Sequence, residues 1–174
     1  MEFQLDKSIE ILERTPPVLH ALLDDISSEW TAHNEGGETW SVFDVVGHLV
    51  QGEQTDWLTR TEIILADSNE RKFEPFDRFA QFESSKGKTL KQILDEFTQL
   101  RRMNISKLRD LNIQEKDLIR TGIHPTFGQV TLSQLLSTWV VHDLNHISQI
   151  VRVMARQYKE QTGPWIQFLK ILHQ

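Results

Sequence analysis

An all-α four-helix bundle with a short C-terminal helix is the fold this sequence predicts. Three observations predict it. Four long stretches place apolar side chains every three or four positions, the spacing of one helix face. Three of the four open on a Ser/Thr-x-x-Asp/Gln signature, at Ser41–Asp44, Thr89–Gln92 and Thr131–Gln134, where side chain and backbone cap each other. No alternating run reads as a convincing strand. Residues 1–174 have room for a sizeable core and are expected to form one domain.

The first helix is expected over 3–30, with Leu5, Ile9, Leu12, Leu19, Leu23, Ile26 and Trp30 inward. Thr15-Pro16-Pro17 should break or kink it, with Thr15 capping a new segment that starts at Pro16. His20 and His33 read as exposed or locally bonded. A polar Gly-rich turn at 33–38 precedes the second helix, expected over 42–66. Val42, Val45, Val46 and Leu49 form its inner face, with His48 on the edge. Asp44, one turn before His48, can either close the capping box or hold the imidazole's orientation.

Residues 67–88 break the helical pattern but carry Phe73, Phe76, Phe79 and Phe82. So long a loop calls for a short helix near 77–82, or a lid pinned to the bundle by its phenylalanines. The third helix runs to about Asp110 with Ile93, Phe97, Leu100 and Leu108 inward, and Arg101 and Arg102 read as a solvated face. A connection at 111–130 contains His124, held extended by Pro125. The fourth helix, about 131–158, has no Pro or Gly. After Gly163-Pro164, the residues Trp165, Ile166, Phe168, Leu169 and Leu172 predict a short apolar closing helix.

Composition closes several routes. The chain has no cysteine, which removes disulfides, thiolate ligands and a cysteine nucleophile. A net charge of −6 gives no general basic footprint for nucleic acid. No apolar run reaches membrane-spanning length, and no signal-peptide core opens the chain, so a cytoplasmic protein without membrane contact is expected. Phosphate-binding Gly motifs and a serine nucleophile elbow are absent.

What remains is a histidine pair. His142 and His146 stand four residues apart on a stripe that includes Leu135, Trp139, Ile150 and Val153. Residues i and i+4 share a helix face, so the two imidazoles can bind one ion or be satisfied core residues. A third ligand must come from a facing helix, and His48 is the candidate. Asn145 and Gln149 lie three residues after His142 and His146, placed either to orient the rings or to face solvent.

The chain resembles the DinB family of bacterial bundle proteins. The resemblance rests on Trp40-Ser41, Gly47-His48-Leu49, His124-Pro125-Thr126-Phe127-Gly128, the stretch WVVHDLNHISQI from Trp139 to Ile150, and the closing GPWIQFLKIL. It implies that His48, His142 and His146 bind a divalent metal ion, zinc or nickel by ligand type. It also implies an enzyme, either a thiol S-transferase joining a low-molecular-weight thiol to a small electrophile or a metal-dependent hydrolase. A non-catalytic, stress-linked protein with a structural metal is the other class. A homodimer is expected, and a nucleic-acid partner is not.

Overall fold

The computed structural model describes residues 2–173. It is a four-helix bundle whose first two columns are broken. Helices α1 (Leu5–Leu12) and α2 (Thr15–Leu23) make the first column. Pro16 and Pro17 occupy the first turn of α2, where a missing N–H removes no helical bond. Thr15 lies inside this helix and does not cap it; its hydroxyl donates to Asp143 at 2.6 Å. A separate turn of helix, α3 (Ser28–Ala32), follows.

The second column is α4 (Val42–Thr55) and α5 (Trp57–Leu65) rather than one helix over 42–66. Asp56 leaves helical geometry at φ −112°, ψ −79° and turns its carboxylate onto Arg60 at 2.6 Å. Gly52 lets the Trp57 indole fold back, since a Cβ there would lie 3.1 Å from its Nε1. The short helix of the phenylalanine-rich segment is α6 (Ala80–Ser84), slightly later than its expected place. Helix α7 (Leu90–Asp110) is the third column. All three capping boxes form as read from the sequence.

The connection before the last column contains an antiparallel hairpin, β1 (Thr121–His124) and β2 (Gly128–Thr131), where no strand was expected. Its four-residue strands are too short to show alternation. Gly122 lets β1 lie against the core: a Cβ there would fall 2.5 Å from the Phe73 ring. Helix α8 (Leu132–Arg156) is the fourth column. The closing segment forms 3₁₀ turns, not an α-helix, with a kink at Gly163 (φ 49°, ψ −132°). Leu172 is buried, but Trp165 and Phe168 are each 70% exposed. Among the described residues no helix is long and apolar enough to cross a membrane.

Both broken columns pack on α7 and on α8. His48 on α4 therefore faces the pair on α8. Two apolar cores fill the bundle. One gathers Leu12, Trp57, Leu108, Leu136 and Trp139; the other gathers Leu19, Val46, Phe97 and Ile150.

A polar layer lies within the bundle, and its centre corrects the reading of Arg101 as solvated. Arg101 is 2% exposed and spans three columns. Its guanidinium donates to Glu53 at 2.8 Å, to both Asp143 oxygens at 2.6 and 3.0 Å, and to the Leu12 carbonyl at 2.7 Å. Asn104 and the Trp139 indole also donate to Glu53. Burial acts to lower the Arg101 pKa, but Glu53 and Asp143 outweigh it and hold the guanidinium charged. Burial pushes Glu53 up despite Arg101. The nearby charge of Asp143 adds to that push.

Candidate metal centre

The three histidines named from the sequence converge. His142 Nε2 lies 3.1 Å from His48 Nε2 and 3.1 Å from His146 Nε2. Two nitrogens bound to one tetrahedral ion at zinc–imidazole distances are about 3.4 Å apart, so the spacing fits a shared ion with slight opening. Among the described residues this is the group of side chains able to hold one.

Local structure explains the convergence. The capping box at Ser41 starts α4 so that His48 falls on the face turned to α8, beside buried Val45 and Leu49. On α8 the i, i+4 spacing stacks His142 and His146 one turn apart. The Arg101 layer sits just below, with Glu53 following His48 on α4 and Asp143 between the two α8 histidines.

The rings are held neutral. Burial pushes His48 down to about 3, with His146 and Arg78 adding to the shift. Burial pushes His142 down to about 2, helped by both other rings and Arg101. His146 is lowered too, again by burial, against a raising hydrogen bond from Gln149 and the charge of Asp143. A neutral imidazole is the form that binds metal. Gln149 Oε1 accepts from His146 Nδ1 at 2.8 Å. That bond selects the tautomer whose Nε2 carries a free lone pair. The Nδ1 atoms of His48 and His142 are buried without a partner among the described residues.

Aromatic rings wall the site. Trp40 and Phe76 lie against His48 at 4.9 and 5.4 Å, and Trp57 against His142 at 5.0 Å. The remaining side opens into a cleft of about 490 Å³ lined by Glu35, Glu38, Trp40, Arg78, Gln149 and Arg152, among others. Glu35 is held in its charged form by a two-pronged bond from Arg152, at 2.8 Å each, against the opposing effect of burial.

Several sequence candidates fall elsewhere. Asp44 takes the capping reading: its carboxylate accepts from the Ser41 N–H at 2.9 Å and the Ser41 hydroxyl at 2.6 Å. Asn145 is exposed. His20 bonds Asp24 and Thr98, and His33 bonds the Glu29 carbonyl. His124 stacks on Phe127 at 4.4 Å and accepts from two backbone N–H groups with its Nδ1. Phe73 pins the 67–88 segment to the core, while Phe76 covers His48. Sequence reading missed Arg78, Glu35 and Arg152 on the cleft wall. No local spacing marks them, because they come from three distant segments.

The model of the DinB superfamily matches residues 11–150 of the chain. The chain belongs to the DinB superfamily. The match includes all three histidines. Among solved structures, YfiT from Bacillus subtilis aligns with a TM-score of 0.75 over 90% of this chain and 89% of that one, at 23% identity. It is described as a probable metal-dependent hydrolase with an unusual four-helix bundle topology. At that identity the likeness establishes a shared four-helix-bundle fold. Comparison with curated proteins finds no match.

Proposed function

We propose that this chain is a divalent-metal-dependent enzyme that holds its ion on His48, His142 and His146 and joins a low-molecular-weight thiol to a small electrophile. The observation that carries the reading is the convergence of three neutral Nε2 atoms at the floor of an open cleft. Zinc and nickel both suit an all-imidazole set. A divalent ion there supplies positive charge that lowers the pKa of a nucleophile and orients it.

The chain's own residues do the rest. Gln149 fixes the His146 ring, and Trp40, Phe76 and Trp57 restrict water around the ligands. Among the described residues no carboxylate joins the three histidines, and Glu35 is committed to Arg152 and Arg156. The other carboxylate of the cleft, Glu38, lies on its wall and is not among the groups gathered around the three histidines. A thiol, with a pKa of about 8.5, needs less help in losing its proton than water at about 15.7. This favours thiol transfer. Hydrolysis is the second reading, favoured by the description of YfiT.

Elemental analysis of the purified protein, followed by paired assays on metal-loaded and chelator-stripped samples, tests the proposal. Conjugation of a thiol to a chloronitroaromatic should require the metal, and His146→Ala should abolish it. Metal-dependent ester or amide cleavage without conjugation would select the hydrolase instead. We further propose a homodimer, since Val141 and Leu144 leave apolar surface on the outer face of α8. Sedimentation should show twice the 20.4 kDa chain mass; a species of the chain mass at high concentration contradicts it.

A further inference from the structure

We propose that Arg78 is a carboxylate-recognition residue of the cleft, so that the small molecule reaching the three histidines carries a carboxylate. The inference rests on the cleft being a substrate site, and it adds the class of substrate.

Three guanidinium groups lie at or beside the cleft, and they differ in what they already hold. Arg152 donates through Nε and one terminal nitrogen to Glu35, and Arg156 also reaches Glu35 at 2.9 Å. Arg78 is different. No carboxylate among the described residues pairs with it, although Glu38 lines the same wall. Its guanidinium lies over the Trp40 ring and beside Phe79, 5.4 Å from each centroid. Trp40 in turn lies 4.9 Å from the His48 ring. One aromatic ring therefore separates the guanidinium from a candidate metal ligand.

Its Cζ lies within cation–π reach of both rings, and an exposed guanidinium with no carboxylate partner can offer two N–H groups to one carboxylate. The segment carrying Arg78 is also fixed at both ends. Phe73 is buried in the core and Phe76 packs against His48. Beyond Arg78, Gln81 and Ser85 press on Gly47, where a Cβ would meet Ser85 Oγ at 2.7 Å. A bound anion thus meets a side chain carried on an anchored backbone, which lowers the ordering cost of its binding.

The test uses cobalt-loaded protein and two thiols of one shape, 3-mercaptopropionate and 3-mercaptopropionamide, followed by the visible absorption of the cobalt. Wild type should bind the acid about tenfold more tightly than the amide. Arg78→Gln should erase that preference by weakening the acid alone, and Arg78→Lys should restore part of it. Equal affinities in wild type, or a preference that survives Arg78→Gln, overturns the proposal. If neither thiol alters the cobalt spectrum, the thiol reading of the site fails. Arg78 is then read separately, by quenching of tryptophan fluorescence with succinate against succinamide. A succinate response lost in Arg78→Gln supports the proposal, and no response in wild type overturns it.

Discussion

Replacing Arg101 by Met probes the polar layer that joins the ligand-bearing helices. Methionine keeps much of the volume but removes the cation from between Glu53 and Asp143, whose side chains are fully buried. It also strips a hydrogen bond from the Leu12 carbonyl. Glu53 would keep Asn104 and Trp139 as donors, and Asp143 would keep Thr15. Breaking a buried ion pair from one side costs about 3–5 kcal/mol. For a domain of this size that lowers Tm by about 10 °C. Urea unfolding followed by tryptophan fluorescence reads the loss directly, because Trp57 and Trp139 stack in the adjoining core at 5.9 Å. Adding Asp143→Asn should recover part of the loss, since one of the two uncompensated charges is gone. Glu53, already pushed up by burial, should take up a proton in the Met variant. A folded-state pKa raised above the unfolded value gives stability that is present at low pH and lost as pH rises, so the variant should gain stability on acidification toward pH 5. A loss below about 1 kcal/mol at neutral pH would refute the claim that this layer fastens α4 and α8 through α7.

Gln149→Ala should weaken metal binding by about 10- to 100-fold in a chelator competition, because it frees the His146 ring. Asp44→Asn should leave metal affinity unchanged and cost about 1 kcal/mol as a lost cap; the reverse pattern would reassign the two residues. Burial raises the Asp56 pKa to about 6 against the pull of Arg60, so its ionisation opposes folding as pH rises. Between pH 7 and 4.5 wild type should gain about 2 kcal/mol relative to Asp56→Asn, and parallel stability curves would show that Asp56 does not titrate so. Gly122→Ala forces a Cβ to within 2.5 Å of the Phe73 ring and should cost about 1–3 kcal/mol in denaturant unfolding. A neutral result would mean the 67–88 segment is not pinned there.

The His142 and His146 pair was legible because its signal is local on α8: a four-residue spacing on an apolar stripe predicts a shared face. His48 was only a candidate from a second inner face, and it was the family resemblance that set it with the pair. Arg101 shows where such reading stops. It lies in register with Ile93, Phe97, Asn104 and Leu108, all buried, yet a charged residue defaults to solvent unless a partner is known. Its partners, Glu53 and Asp143, lie on other helices, and nothing in the spacing links them to it. Asp143 was hidden in the same way, since its neighbour His142 took the inward place on the stripe. The break at Asp56 carries no Pro or Gly at the step itself and follows from tertiary packing of Trp57. The closing segment misled through composition: Trp165 and Phe168 are apolar but stay exposed on 3₁₀ turns.

The sharing of one divalent ion by His48, His142 and His146 is tested most directly by metal stoichiometry. Elemental analysis should find one zinc or nickel per chain in wild type and a large loss in each of His48→Ala, His142→Ala and His146→Ala. Circular dichroism on the same samples should show that the helices remain. If the folded His146→Ala variant retains a full equivalent of metal, the ion is not held by this triad.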